Sequence, residues 1–210
     1  MNSNPVILVL GAHPDDIELG CGGTLAKLSA VGWRICAVVM STGTKGASDG
    51  AQRCLETDRA LKSLGVHEVI QHDFPDTRLH EHLNDLIQAI EVEVERLTPS
   101  RVYTMFDGDR HQDHRAVYQA SAVACRSVPM ILGYETPSSY PNFVATIFEP
   151  ISNQLMRKVE AVRTHQSQEG RLYMQEEKVR AAAHFRGVQV NVGPSEGFIA
   201  YKMVFQESAA

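Results

Sequence analysis

The sequence is poor in the features that mark secreted, membrane-spanning or nucleic-acid-binding chains. Its 210 residues include only four cysteines, Cys21, Cys36, Cys54 and Cys125, and no C-x-x-C pair. Their wide, irregular spacing builds neither a disulfide framework nor a structural zinc motif, so the thiols are expected to be reduced in a cytoplasmic protein. The early apolar run from Val6 to Leu10 stops at Gly11, far short of a signal h-region or a membrane span, and no basic residue precedes it. No membrane partner is therefore expected. Positive charge is not in excess: Lys plus Arg is 20 against 25 for Asp plus Glu, a net charge of −5. That excludes the broad positive field of a general nucleic-acid binder. What remains is an ordinary globular composition, 43% hydrophobic and 21% charged, at a length suited to a single domain, 1–210. Histidine is plentiful, at nine residues.

Short apolar runs alternate with longer amphipathic ones. Val6–Leu10, Ile35–Met40, His67–Ile70, Val102–Phe106 and Met130–Tyr134 read as buried strands. Leu25–Val31, Ala51–Leu64, Leu83–Leu97 and Asp113–Cys125 read as helices, two of them stopping at Gly32 and Gly65. This alternation predicts an α/β fold: a Rossmann-like, mainly parallel sheet with helices on both faces. The last third is less regular and is expected to cap the domain. Val144–Ile147, Val188–Val192 and Phe198–Phe205 read as strands, and Ile151–Arg163 and Leu172–His184 as helices.

Two polar clusters fall at strand ends, where open parallel sheets bind ligands. The first is Gly11-Ala12-His13-Pro14-Asp15-Asp16, after the first strand. His13 and Asp16 are three residues apart and can face one point in a tight turn, while Asp15 points elsewhere and is free to act on water. The second is Asp107-Gly108-Asp109-Arg110-His111-Gln112-Asp113-His114, after the fourth strand. In the strand order 3-2-1-4 the two clusters face each other. His114 can then complete a His/Asp/His set with His13 and Asp16, a donor set suited to Zn²⁺ and similar divalent ions with an open position. His111 would sit at the rim. A lone cluster of this kind is usually a turn or a helix cap; two at predicted strand ends weigh against that. His67, His72, His80, His82 and His184 read as ordinary surface or core residues. Gly20-Cys21-Gly22-Gly23 is no dinucleotide fingerprint, since it follows two aspartates that would repel a pyrophosphate.

Ala12-His13-Pro14-Asp15-Asp16 with Glu18 and Gly20, followed by His111-x-Asp113-His114, resembles the PIG-L/LmbE-like family of zinc-dependent N-acetylglucosaminyl deacetylases. Arg53-x-x-Glu56, Pro75-Asp76-x-x-Leu79, Lys158, His165-x-Ser167-Gln168 and Glu196-x-Phe198 extend the similarity over residues 5–205. The resemblance implies one zinc per chain, held by His13, Asp16 and His114. It implies Asp15 as general base for the attacking water and His111 as general acid or oxyanion stabiliser. Asp113 would orient the His111 imidazole and raise its pKa, and Arg53 and Asp76 would hold sugar hydroxyls. It further implies an acetylated amino-sugar as small-molecule substrate, and a homo-oligomer, trimer or hexamer. Two departures from the family pattern are Gln112, where proline is usual, and the absence of an acidic residue in Ser41–Gly46. A metal-dependent amide or ester hydrolase acting on a non-sugar metabolite is the alternative reading.

Overall fold

A computed structural model describes residues 4–45 and 49–205; Gly46 of the Ser41–Gly46 loop lies outside them. Seven strands form one sheet in the order β3-β2-β1-β4-β5-β7-β6. β1 (Val6–Gly11), β2 (Arg34–Val39), β3 (Glu68–Gln71), β4 (Arg101–Met105) and β5 (Met130–Tyr134) are parallel. β6 (Ile147–Pro150) and β7 (Ser195–Met203) are antiparallel additions, with β7 between β5 and β6. The continuous apolar runs Ile7–Leu10 and Ile35–Val39 are fully buried, as strands covered on both faces must be. The helices form two groups: α1 (Asp16–Ala30) and α2 (Gly50–Ser63) pack with α5 (Leu155–Arg163), while α3 (Leu83–Leu97) packs with α4 (Gln112–Ala124). The mainly parallel α/β sheet expected from the alternation is therefore present.

Several expected boundaries move. The first helix starts at Asp16, nine residues before the apolar pattern suggests, and breaks at Cys21 (φ −142°). Lys158 and Glu196 close the break: Lys158 Nζ donates to the Leu19 carbonyl (2.7 Å), and the Glu196 carboxylate accepts the amides of Gly23 (2.9 Å) and Thr24 (2.7 Å). Near that break Gly20 lies under the Tyr134 ring, where an added Cβ would come within 2.1 Å. In the last third, the strand expected at Val144–Ile147 starts at Ile147, and α5 starts at Leu155 rather than Ile151. The helix expected at Leu172–His184 becomes a 3₁₀ turn, Leu172–Met174, then α6 (Glu176–Gln189). Val188–Val192 is no strand: it is the end of α6 and a turn with Asn191 in the left-handed region (φ 56°). The final strand is Ser195–Met203 and runs antiparallel. α5 and α6 carry a small apolar core of their own, including Ile151, Val159, Val162 and Val179, against which Leu19 packs.

Candidate active site and metal centre

The site lies at the carboxyl ends of the neighbouring strands β1 and β4. β1 ends at Gly11, and α1 begins at Asp16 with Asp15 as its N-cap. The Asp16 carboxylate turns back to accept the amides of Ala12 (3.2 Å) and His13 (2.7 Å), which closes the turn. Asp15 takes a left-handed conformation (φ 95°), a cost of about 1–3 kcal/mol for a non-glycine residue. Arg53 of α2 holds this strained turn by donating to the carbonyls of Pro14 (2.9 Å) and Gly43, and its Nη2 lies 3.5 Å from Asp15 Oδ2. On the facing side His111 caps α4: its Nδ1 accepts the amide of Asp113 (3.2 Å).

Asp16 sits between two imidazoles. Its carboxylate lies 3.5 Å from His13 Nδ1 and 3.2 Å from His114 Nε2. The outer nitrogens have acidic partners of their own. His13 Nε2 meets Asp113 (3.0 Å) and Asp76 (3.2 Å); His114 Nδ1 meets Asp109 (3.1 Å). An outer carboxylate fixes the ring tautomer and aims the other nitrogen's lone pair inward, as in histidine metal ligands. His111 stacks on His114 with centroids 4.7 Å apart. Nitrogen atoms of His13, His111 and His114 lie within 4.8 Å of one another, as do donor atoms of His13, Asp76 and Asp113. His111 thus adds a third nitrogen beside those of His13 and His114, while neither of these two close donor groups includes Asp16.

The electrostatics separate these groups. Burial disfavours a charged His13, but Asp113, Asp16 and Asp76 more than offset it and hold its pKa well above the usual imidazole value. Burial likewise opposes a charge on His114, yet Asp16 and Asp109 push it up to about 9. Against the cost of burial, the same histidines hold Asp16 well below the carboxylate range. Asp15 goes the other way: burial first, then the charge of Asp16, pushes it up to about 7. His111 is lowered, by burial and then by the charges of His13 and His114.

Two sets of expected site residues make contacts other than those the resemblance implies. The Asp113 carboxylate does not hold the His111 ring; it serves His13 and accepts the amides of Thr77 (2.7 Å) and Leu79 (3.1 Å). Only the Asp113 backbone amide meets His111, whose pKa falls instead of rising, because burial and then the charges of His13 and His114 outweigh the nearby carboxylates. Arg53 and Asp76 both line the cleft, a cavity of about 400 Å³. Arg53 Nη1 and Nη2 are engaged by the Asp15 turn, while its buried Nε has no hydrogen-bond partner among the described residues; Asp76 meets His13 and the Lys45 amide (2.6 Å). Gln112 stands where the family pattern has proline and ties α4 to the Thr77 carbonyl (3.1 Å).

Sequence reasoning assigns no role to Asp109, which is fully buried behind His114. It accepts from Thr136 (2.7 Å) and Ser138 (2.6 Å), and nothing in the sequence links those positions to it. His165 falls in a sequence motif without a role of its own; it is buried, with Nε2 2.9 Å from Glu18. Tyr173 also lines the cleft, from the 3₁₀ turn Leu172–Met174, in a stretch the sequence reads only as helix.

Residues 8–125 match the family model PIG-L, GlcNAc-PI de-N-acetylase. Over 172 residues the chain is 51% identical to an uncharacterized deacetylase, YaiS, of Escherichia coli (strain K12), covering 79% of this chain and 93% of that protein. The N,N'-diacetylchitobiose deacetylase of Pyrococcus horikoshii superposes with a TM-score of 0.79 at 25% identity, covering 93% of this chain and 83% of that one. The conserved protein TT1542 of Thermus thermophilus superposes with a TM-score of 0.84 at 25% identity, covering 97% and 98%. With its two polar clusters on such a fold, the chain belongs to the PIG-L de-N-acetylase family and is a deacetylase.

Proposed function

We propose that the protein removes the N-acetyl group from an N-acetylglucosaminyl-type small-molecule conjugate, with zinc held by His13, Asp16 and His114. The observation that carries this reading is the pairing of a buried, high-pKa carboxyl, Asp15, with two imidazoles aimed at one carboxylate, Asp16. The residues fit a divalent cation. Both rings have an outer carboxylate partner, and both hold protons tightly only because acidic groups surround them. A cation would take the place of those protons. When bound it would supply Lewis acidity to the acyl oxygen and acidify water.

The chain's own groups then divide the work. Asp15, at about 7, has a proton affinity matched to neutral pH and takes the proton of the attacking water. His111 accepts the Asp113 amide at Nδ1, so its neutral form carries the proton on Nε2 and can donate to the developing oxyanion. Asp15, once protonated, returns the proton to the departing amine. Diacetylchitobiose as substrate of the Pyrococcus horikoshii relative supports an amino-sugar here.

The test is primary-amine release from a panel of N-acetylglucosamine conjugates, with zinc-loaded and chelated protein. Release that stops on chelation and returns with zinc supports the reading. Asp15→Asn should keep its zinc and lose at least about 10²-fold in kcat. Full activity in that variant removes Asp15 from the role of base. No release from any conjugate by zinc-loaded protein removes the amino-sugar.

A further inference from the structure

Among the described residues, four that are not glycine have a positive φ: Asp15, Thr77, Thr98 and Asn191. Thr98 ends α3 and Asn191 follows α6, where left-handed residues commonly stop a helix. Asp15 and Thr77 are the two that line the catalytic cleft. Thr77 (φ 69°) is the third residue of a turn closed by the Arg78 amide on the Pro75 carbonyl (3.1 Å). Glycine or asparagine usually takes a positive φ at that place, and a β-branched residue there is strained. Such strain costs about 1–3 kcal/mol and persists where surrounding groups fix it, most often at functional sites.

The groups that fix it come from the start of α4. The Asp113 carboxylate accepts the amides of Thr77 (2.7 Å) and Leu79 (3.1 Å), and the Gln112 side-chain amide donates to the Thr77 carbonyl (3.1 Å). Thr77 is thus held on both sides by the helix that His111 caps and that carries His114. The backbone does not need glutamine at 112. It is the first residue of α4, where the missing N–H of a proline costs nothing. His111 before it (φ −75°, ψ 123°) already has the extended conformation that a following proline requires. What proline would lack is the side-chain donor to Thr77. With its amide and carbonyl both engaged, half-buried Thr77 still has its hydroxyl to offer: no hydrogen bond engages it among the described residues. Asp76, one residue earlier, is already taken up by His13 and the Lys45 amide.

We infer that Thr77 contacts the substrate, hydrogen-bonding a hydroxyl of the amino-sugar, and that Gln112 is the residue that positions it. The inference rests on the deacetylase reading above and adds a group that recognises the sugar itself.

The test compares Thr77→Ser with Thr77→Ala, which differ only in the hydroxyl at an equally strained position. On N-acetylglucosamine conjugates, zinc-loaded Thr77→Ser should keep its kcat/KM. Thr77→Ala should lose about 3- to 10-fold, the worth of one hydrogen bond, chiefly through KM. Conjugates lacking one sugar hydroxyl at a time identify the partner: the one made poorer for the unaltered protein should be no poorer for Thr77→Ala than its parent. Gln112→Pro should keep its zinc content and narrow the Ser-to-Ala difference, since the hydroxyl is no longer held in place. Thr77→Gly relieves the strain, so its Tm should hold or rise while kcat/KM falls as in Thr77→Ala. A loss of Tm in Thr77→Gly would mean that the side chain serves packing, and would overturn the inference. Equal kcat/KM in Thr77→Ser and Thr77→Ala, with the unaltered protein active, overturns Thr77 and leaves the deacetylase reading standing. A Ser-to-Ala difference that Gln112→Pro leaves intact overturns the role of Gln112. No amine released from any conjugate by the unaltered, zinc-loaded protein defeats the amino-sugar reading itself, and the sugar contact with it.

Discussion

The Asp109 carboxylate faces His114 Nδ1 and also accepts from Thr136, Ser138 and the His111 amide (2.8 Å). It thus holds one imidazole, the cap of α4 and the loop after β5 together. Asp109→Asn keeps the shape but lacks the charge that fixes the His114 tautomer. Removing such an outer partner typically costs 10–100-fold in metal affinity. Competition with a chromophoric chelator should show a loss of that size in this variant, and an unchanged affinity would mean that His114 needs no such support. The residue scale also shows what a sequence can carry. His13, Asp15, Asp16 and His114 were legible because each set lies within four residues at a strand end. The partners of Asp113 were not. The family resemblance implied a contact with the His111 ring, but as the second residue of α4 its side chain reaches across to His13 and the Thr77 turn.

At the scale of elements, α1 is where sequence and structure part most clearly. Gly20, Gly22 and Gly23 lower helix propensity by about 1 kcal/mol each relative to alanine, so the pattern reads as helix only from Leu25. The structure carries the helix back to Asp16 because distant groups satisfy its broken turn: Lys158 from α5 and Glu196 from β7. That buried ion pair has side chains only 6% and 3% exposed. Glu196→Gln leaves Lys158 charged and without its counter-ion, and should destabilise by about 3–5 kcal/mol in urea unfolding. A shift below about 1 kcal/mol would show that the break holds without it. Gly20→Ala is the companion case. A methyl group within 2.1 Å of the Tyr134 ring must displace it, and overpacking of this kind costs about 1–3 kcal/mol. The regular βα units were legible because period and burial agree in them. In the last third both helices and two of three strands were legible but their place in the sheet was not, because β7 inserts antiparallel inside the sheet rather than extending its edge.

For the whole molecule, the charge arrangement sets how stability responds to pH and metal. Without metal, His114 has a folded pKa of about 9 against about 6.5 unfolded. Its contribution is full below pH 6.5 and is lost as pH rises toward 9. His13, also raised, acts in the same sense. Asp15, raised to about 7, loses its contribution between about pH 4 and 7. His111, lowered, acts oppositely, but only below about pH 6.5. The chelated protein should therefore lose Tm as pH rises from 6.5 to 9. A divalent cation at the proposed site should reverse this trend, since protons would compete with it for the same two rings. At 100 times its Kd a ligand adds about 2.7 kcal/mol, or about 5–10 °C for a chain of this size. Differential scanning calorimetry should show that increment growing from pH 6 to pH 8. An increment that shrinks over that range would place the cation on other groups.

The last strand also fixes an order of events in time. Asp15 and Asp16 leave the ribosome long before Glu196, yet the helix they open is braced by Glu196 and faces a sheet completed by residues 195–203. A chain arrested before that point holds every proposed ligand and the proposed base, but not the brace that sets their helix. The newly made enzyme should therefore acquire its activity in one step, once residues 195–203 have emerged, rather than gradually during synthesis.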